Sequence, residues 1–234
     1  MIRLFMILIY FVLLSGNAFS GSIEGIIQFN QSLPTPKAHL TGKFKNICGK
    51  RIVNESFLLD DKGLVNVVVT LSGKSLKSNQ HQINEEYIID QKGCKYNPHV
   101  LAIVRDSTVK ILASDPTNHN IHTYSFDNDP INLMMIPGQD YEHEFEEPEL
   151  VKVECDLHKW MSAWIFVTDN PFFAISGNGG RFKIKDVPPG KYKLHAWHEI
   201  LGSISQKINV EDGLTNITLD FSDKKLQKIK EYDQ

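Results

Sequence analysis

A chain of 234 residues has room for one large or two small domains. Its 41% hydrophobic and 23% charged content is that of an ordinary globular protein. A formal net charge of −3 gives no electrostatic reason to expect nucleic acid or an anionic membrane as partner.

Residues 1–20 differ from the rest. Arg3 supplies a positive start, Leu4 to Leu14 an apolar run, and Ala18-Phe-Ser20 a small-x-small cleavage site before Gly21. This reads as a secretory signal peptide, too short for a spanning helix, and polar Ser15, Gly16 and Asn17 argue against an uncleaved anchor. The mature protein, 21 onward, is therefore expected to be periplasmic or secreted, with no transmembrane segment after cleavage.

Gly21 to Phe29 reads as a first strand, followed by a loop with Pro34 and Pro36 and an irregular stretch holding Cys48. Asp60-Asp-Lys-Gly63 is a hairpin turn whose second arm, Val65 to Leu71, is strongly strand-forming. Residues 73–84 are polar and linker-like. Strands are expected at Tyr87 to Asp90, and at His99 to Val104 and Thr108 to Ala113 around a turn at 105–107. Another, Ile121 to Phe126, extends past His119. The segment Asp127 to Glu149 carries prolines and an acidic cluster, Glu142 through Glu149, which reads as a solvated loop face, with the orienting of a cationic redox partner as the alternative. Val151 to Cys155 and Ala163 to Thr168 are two further strands, and Phe172 to Ile184 reads as a hairpin turning at Gly177-Asn-Gly-Gly180. Asp186-Val-Pro-Pro-Gly190 turns into one more alternating strand. Residues 223–234 form a tail with a short helical pattern and no assigned function. The fold class is all-β.

The chemistry concentrates in Cys155-Asp-Leu-His158-Lys-Trp-Met161. Val151, Val153 and Cys155 fall on one face of an extended segment, so the thiol points inward where the strand turns. A thiolate, an imidazole and a thioether crowd one loop between two strands. Soft sulfur donors with imidazole suit copper, and a His₂Cys plane with a weak axial Met is the blue-copper electron-transfer arrangement. A second histidine is available in Asp115-Pro-Thr-Asn-His119-Asn-Ile-His122. Along a strand His119 and Ile121 share one face while Asn120 and His122 share the other, so only one of the two histidines joins Cys155 readily; a bulge reverses the choice.

His119-Asn120 followed by Cys155-x₂-His158-x₂-Met161 resembles the cupredoxins of amicyanin/plastocyanin type, the short ligand loop being most like that of the amicyanins. The resemblance implies one type 1 copper ion held by His119, Cys155, His158 and Met161, with Asn120 bracing the cysteine loop and His122 as the alternative ligand. It also implies that His158 is the solvent-edge ligand through which electrons leave. Three cysteines are an odd number for an oxidising compartment. With Cys155 a metal thiolate, Cys48 and Cys94 remain for a disulfide; otherwise Cys155 pairs with one of them and no copper site exists.

The Gly180-Arg-Phe182 strand with Val187-Pro-Pro-Gly190-Lys-Tyr192 resembles the carboxypeptidase-regulatory-like, transthyretin-type β-sandwich. Such domains usually begin with strands like those at residues 21–73, on the far side of the copper segment. The expected organisation is a cupredoxin Greek-key sandwich over 81–169 inserted in a discontinuous sandwich of 21–80 plus 170–222; two domains in tandem are the alternative.

No nucleophile elbow, phosphate-cradling glycine loop or zinc-protease helix motif is present in the sequence, so no enzyme activity is expected. The resemblance implies a one-electron carrier meeting a redox protein transiently. A copper-binding or delivery protein without electron transfer is one rival reading, and a non-redox adhesion or carbohydrate-binding module another.

Overall fold

The structure is a computed structural model that describes residues 20–31, 38–74, 76 and 86–223. The expected signal peptide, most of the polar stretch after Gly73 and the helical pattern of the tail lie outside the described residues. No described helix is long and apolar enough to cross a membrane.

The chain is all-β; its described residues build four larger sheets and one two-stranded ladder. Strands Gly21–Gln28, Leu59–Asp60, Gly63–Leu64, Arg181–Val187 and Gly213–Asp220 make one sheet. Val68–Ser72, Phe173–Ile175, Gly190–His198 and Gly202–Val210 make a second. Their inward residues, among them Ile23, Ile27, Leu71, Phe182, Ile184 and Leu194, share one core. Tyr87–Gln91, Tyr96–Asn97, Ser107–Leu112 and Asp140–Phe145 form a third sheet. The fourth contains Val100–Val104, His119–Tyr124, Asn132–Met135, Leu150–Glu154 and Ser162–Thr168. A second core lies between these two, with Ile89, Ile111, Ile121, Val151, Val153 and Ile165 fully buried. Alternation explains the layering: in Leu150–Glu154 the even positions are half-buried and the odd ones buried, so one face packs and the other meets its surroundings.

Two expected hairpins are re-routed. The Asp60–Gly63 turn does pair Leu59 with Leu64, but the second arm breaks at Asn66, whose φ of 63° turns the chain out of that sheet. Its continuation, Val68–Ser72, joins the other sheet. The glycine turn at 177–180 likewise separates strands instead of pairing them: Phe173–Ile175 pairs with Val68–Ser72, and Arg181–Val187 with Gly21–Gln28. Glycine is required where these turns meet. A Cβ at Gly63 would stand 2.0 Å from the Gly179 carbonyl carbon, and one at Gly180 would stand 2.2 Å from the Ile27 oxygen.

The two cores meet across Val68, Val100 and Ala102, with Trp164 and Trp197 stacked edge-on at 5.3 Å. Glu199 accepts from Trp164 Nε1 at 2.9 Å and pairs with His99, both side chains nearly buried. His198 is buried, its Nδ1 accepting from the Ile200 and Leu201 amides, while His195 faces Ser72. The two histidines diverge, as strand alternation expects, and form no common site.

Residues 39–53 depart from both sandwiches. His39–Leu40 pairs with Arg51–Ile52, and a short helical turn, Gly42–Cys48, closes between them. Cys48 and Ile52 pack into the same core as Ile89, Ile111 and Cys155. Cys48 is disulfide-bonded to Cys94, and Lys95 pairs with Glu55 at 2.5 Å.

Candidate metal centre

Strand ends bring three donors together. His119 opens its strand, Cys155 follows the last residue of Leu150–Glu154, and His158 lies in the loop to Ser162–Thr168. Two backbone bonds close that loop: Met161 N donates to the His158 carbonyl at 2.8 Å, and Cys155 N to the Met161 carbonyl at 3.2 Å. One donor atom from each of His119, Cys155 and His158 lies within 4.8 Å of the others, and all three residues are buried. His119 Nδ1 stands 3.1 Å from His158 Nδ1, which is 3.7 Å from Cys155 Sγ. Met161 is 2% exposed and belongs to the same core as Cys155.

His119 and His122 are sorted by the strand. His119 is fully buried, whereas His122 is half-exposed, bonded to Asp156 at 3.1 Å and stacked on Tyr124. His122 is not among the residues grouped at the donor cluster. Asn120 ties the loop to its neighbouring strand. Its Oδ1 accepts from Asp156 N at 3.1 Å, its Nδ2 donates to Asn132, and its own N–H points at Cys155 Sγ at 3.4 Å.

Asp115, a residue to which sequence reasoning gave no role, sits beneath His119. Its carboxylate accepts from His119 Nε2 at 2.9 Å and from Gly93 N and Cys94 N at 2.7 Å each. We therefore assign the His119 proton to Nε2, which leaves the Nδ1 lone pair facing Cys155 and His158. Burial lowers the His119 pKa, and Asp115 opposes that shift. Burial, then the neighbouring His119, push His158 down to about 4. Both rings are accordingly neutral near pH 7, the form that binds metal. Cys94, Asp115 and His119 also lie close together, but the Cys94 sulfur is committed to its disulfide.

Tyr96 is a second supporting group that the sequence did not reveal. Its hydroxyl lies 2.5 Å from the Asn120 carbonyl and 3.0 Å from that of Glu154, the residues next to His119 and Cys155. Burial raises its pKa far above the ordinary phenol value, so it stays a donor.

His158 does not form a solvent edge. It has no exposed surface, because the Phe44 ring meets it edge-on with centroids 4.3 Å apart and Trp160 lies 5.2 Å away. Its Nε2 is buried without a hydrogen-bond partner. Phe44 comes from the 39–53 segment, more than a hundred positions earlier in the chain, and no local sequence signal points to it. Trp160 Nε1 donates to the Cys94 carbonyl at 3.1 Å. The disulfide turn thus contacts both His119, through Asp115, and the ligand loop, through Trp160. Trp164 packs between the sandwiches and takes no part in the donor cluster.

The donor set passes a chemical test for copper. Two neutral imidazole nitrogens and one thiol converge without a carboxylate oxygen among them, a combination that suits Cu(I) and Cu(II) and disfavours Mg²⁺ and Ca²⁺.

No protein-family profile and no curated protein matches this chain. Among solved structures it is similar to a copper-containing nitrite reductase from Thermus scotoductus SA-01, at 20% identity and a TM-score of 0.34, over 36% of this chain and 22% of that one. A purple cupredoxin from Nitrosopumilus maritimus is similar at 25% identity and a TM-score of 0.32, over 36% of this chain and all of its own length. A variant of amicyanin in its Cu(I) form is similar at 20% identity and a TM-score of 0.33, over 43% of this chain and 98% of its own. This chain therefore spans about a fifth of the nitrite reductase.

Proposed function

We propose that the protein is a type 1 copper protein acting as a one-electron carrier, with His119, Cys155 and His158 holding one ion and Met161 as a weak fourth donor. The observation that carries the reading is the convergence of three buried soft donors, free of carboxylate, in one cluster. Bound copper supplies reversible one-electron chemistry between its +1 and +2 states. The chain's own residues fix the donors before metal arrives. Asp115 orients His119, Asn120 ties the cysteine loop to the neighbouring strand, and the 2.8 Å Met161–His158 backbone bond sets the loop's curvature. Phe44 and Trp160 exclude water from His158.

Enclosure separates this reading from copper delivery. A delivery protein hands its metal on by ligand exchange at an open face, whereas electron transfer needs a short path through the protein and no exposed ligand. A ligand histidine without exposed surface supports a resident ion. We further infer that the copper-binding sandwich is inserted in a discontinuous outer one, a reading supported by the strand pairing of Gly21–Gln28 with Arg181–Val187 and Gly213–Asp220. The Cys48–Cys94 disulfide supports an oxidising compartment, periplasmic or secreted.

The test is addition of Cu(II) to refolded, metal-free protein. An intense visible thiolate-to-copper band is expected, and Cys155→Ser should abolish it while leaving the circular dichroism unchanged. Protein that stays colourless, or a band that survives Cys155→Ser, refutes the assignment.

A further inference from the structure

Between Glu24 and Glu55 the sequence contains no acidic residue, although the whole chain has a net charge of −3. Past the first strand, its described part includes the 39–53 segment, whose Phe44 packs on His158 and Trp160. Lys43, Lys45, Lys50 and Arg51 are all exposed on it. Among the described residues no ion pair involves Lys45, Lys50 or Arg51. The same segment exposes its larger apolar side chains: Leu40 is 72%, Val53 60% and Ile47 48% accessible. Large exposed apolar residues set among uncompensated cations mark a contact surface more often than a merely solvated one.

Its position gives the patch a use. Phe44 is half-buried: one side of its ring meets His158 at 4.3 Å, and the remainder reaches the surface of the segment. Lys43 lies 5.0 Å above that ring. A molecule seated on this face is separated from His158 by one aromatic ring. The disulfide to Cys94, whose carbonyl also receives Trp160 Nε1, holds the face in register with the ligand loop.

We propose that the 39–53 segment is the docking face for an acidic redox protein, which exchanges single electrons with the metal centre across Phe44. The proposal rests on the copper reading above. One electron passes per encounter between the centre and the partner's own redox group; no bond is made or broken and no proton moves. Positive charge concentrated on one face steers an anionic partner and makes the rate fall with salt. An anionic lipid surface would meet the same charges, but the patch overlies a ligand ring, which favours a partner that carries electrons.

Small oxidants of opposite charge test this on copper-loaded protein by stopped flow. With hexacyanoferrate(III) the rate should be high at low ionic strength and fall as salt is added; with tris(phenanthroline)cobalt(III) it should rise with salt. The variant K45E/K50E/R51E touches no ligand. It should keep the visible band, lose about tenfold in rate with hexacyanoferrate(III) at low salt, and reverse both salt dependences. Unchanged rates and salt dependences in a coloured variant overturn the docking face while leaving the copper assignment standing. A colourless wild type refutes the copper assignment, and the docking proposal with it. Co-sedimentation of the wild type, and not the variant, with phosphatidylglycerol-containing vesicles, alongside unchanged oxidant rates, overturns the proposal in favour of a membrane surface.

Discussion

Removing the Cys48–Cys94 disulfide, by Cys48→Ala together with Cys94→Ala, should loosen the cover over His158 far more than it loosens the ligand cluster. The two cysteines are 46 residues apart in sequence. A ring of that size restricts the unfolded chain by about 4 kcal/mol in the loop-entropy account, which is the expected fall in global stability. Opening of the cover alone is a smaller event. Ser56 is buried, so only the stretch from Cys48 to that anchor gains freedom. About eight residues correspond to about 2.5 kcal/mol, or roughly a 70-fold larger population of the open form.

Cys155 reports both events. It is 2% exposed and is the free cysteine of the wild type, so Ellman's reagent labels one thiol in either protein. In metal-free protein the labelling rate should rise about 70-fold in the double variant, and the urea midpoint should fall by the equivalent of about 4 kcal/mol. Equal labelling rates in two proteins of different stability would show that the 39–53 segment does not govern access to the donors. Equal stabilities would show that the cross-link constrains nothing the folded chain does not already hold.

Three further outcomes follow from single side chains. Asp115→Asn retains the shape but removes the charge under His119, and should weaken Cu(II) binding by about 10- to 100-fold in a chelator competition; an unchanged affinity would deny Asp115 its orienting role. His198 has its pKa lowered from 6.5 to about 3, by burial and then by His99. The unfolded chain binds that proton first, so the His198 contribution is complete above pH 6.5 and is lost as the pH falls toward 3. His198→Asn, which can still accept from the Ile200 and Leu201 amides, should flatten the acid limb of melting temperature against pH; an identical limb would refute the assignment. Glu199→Ala leaves Trp164 Nε1 and His99 without their buried partner and should cost about 3 kcal/mol in urea unfolding, while the copper band stays in place.

The donor cluster could be anticipated where its information is local. Cys155, His158 and Met161 sit in one short loop, and strand alternation puts His119 and His122 on opposite faces without saying which of them turns inward. The role of Asn120 came only with the family resemblance. Asp115 stood in plain view four residues before His119, yet nothing periodic encodes the turn at Pro116 that carries its carboxylate under the ring. Tyr96 and Phe44 carry no signal of any kind, since what places them is tertiary. The re-routed hairpins have a related cause. A glycine-rich turn reads alike whether its flanking strands pair or part into two sheets, and the contact between Gly63 and Gly180 that decides the matter spans distant positions.

Why the cover comes from so far away follows from the loop itself. Cys155 to Met161 spends its backbone hydrogen bonds on its own closure, and its seven residues cannot both present His158 at the end of the sandwich and fold back over it. Water can be kept from that ring only by a segment brought from elsewhere. Such a segment, with few buried side chains of its own, would spend much of its time open if only Cys48, Ile52 and the Phe44 ring held it down. A covalent tie to the Cys94 turn removes that freedom. It also links the cover to the two groups that set the ligand geometry, Asp115 and Trp160. The enclosure of His158 and the placement of the cationic face therefore depend on one cross-link to the turn that also holds Asp115 under His119, which is why its removal should be felt at the donors before the fold itself gives way.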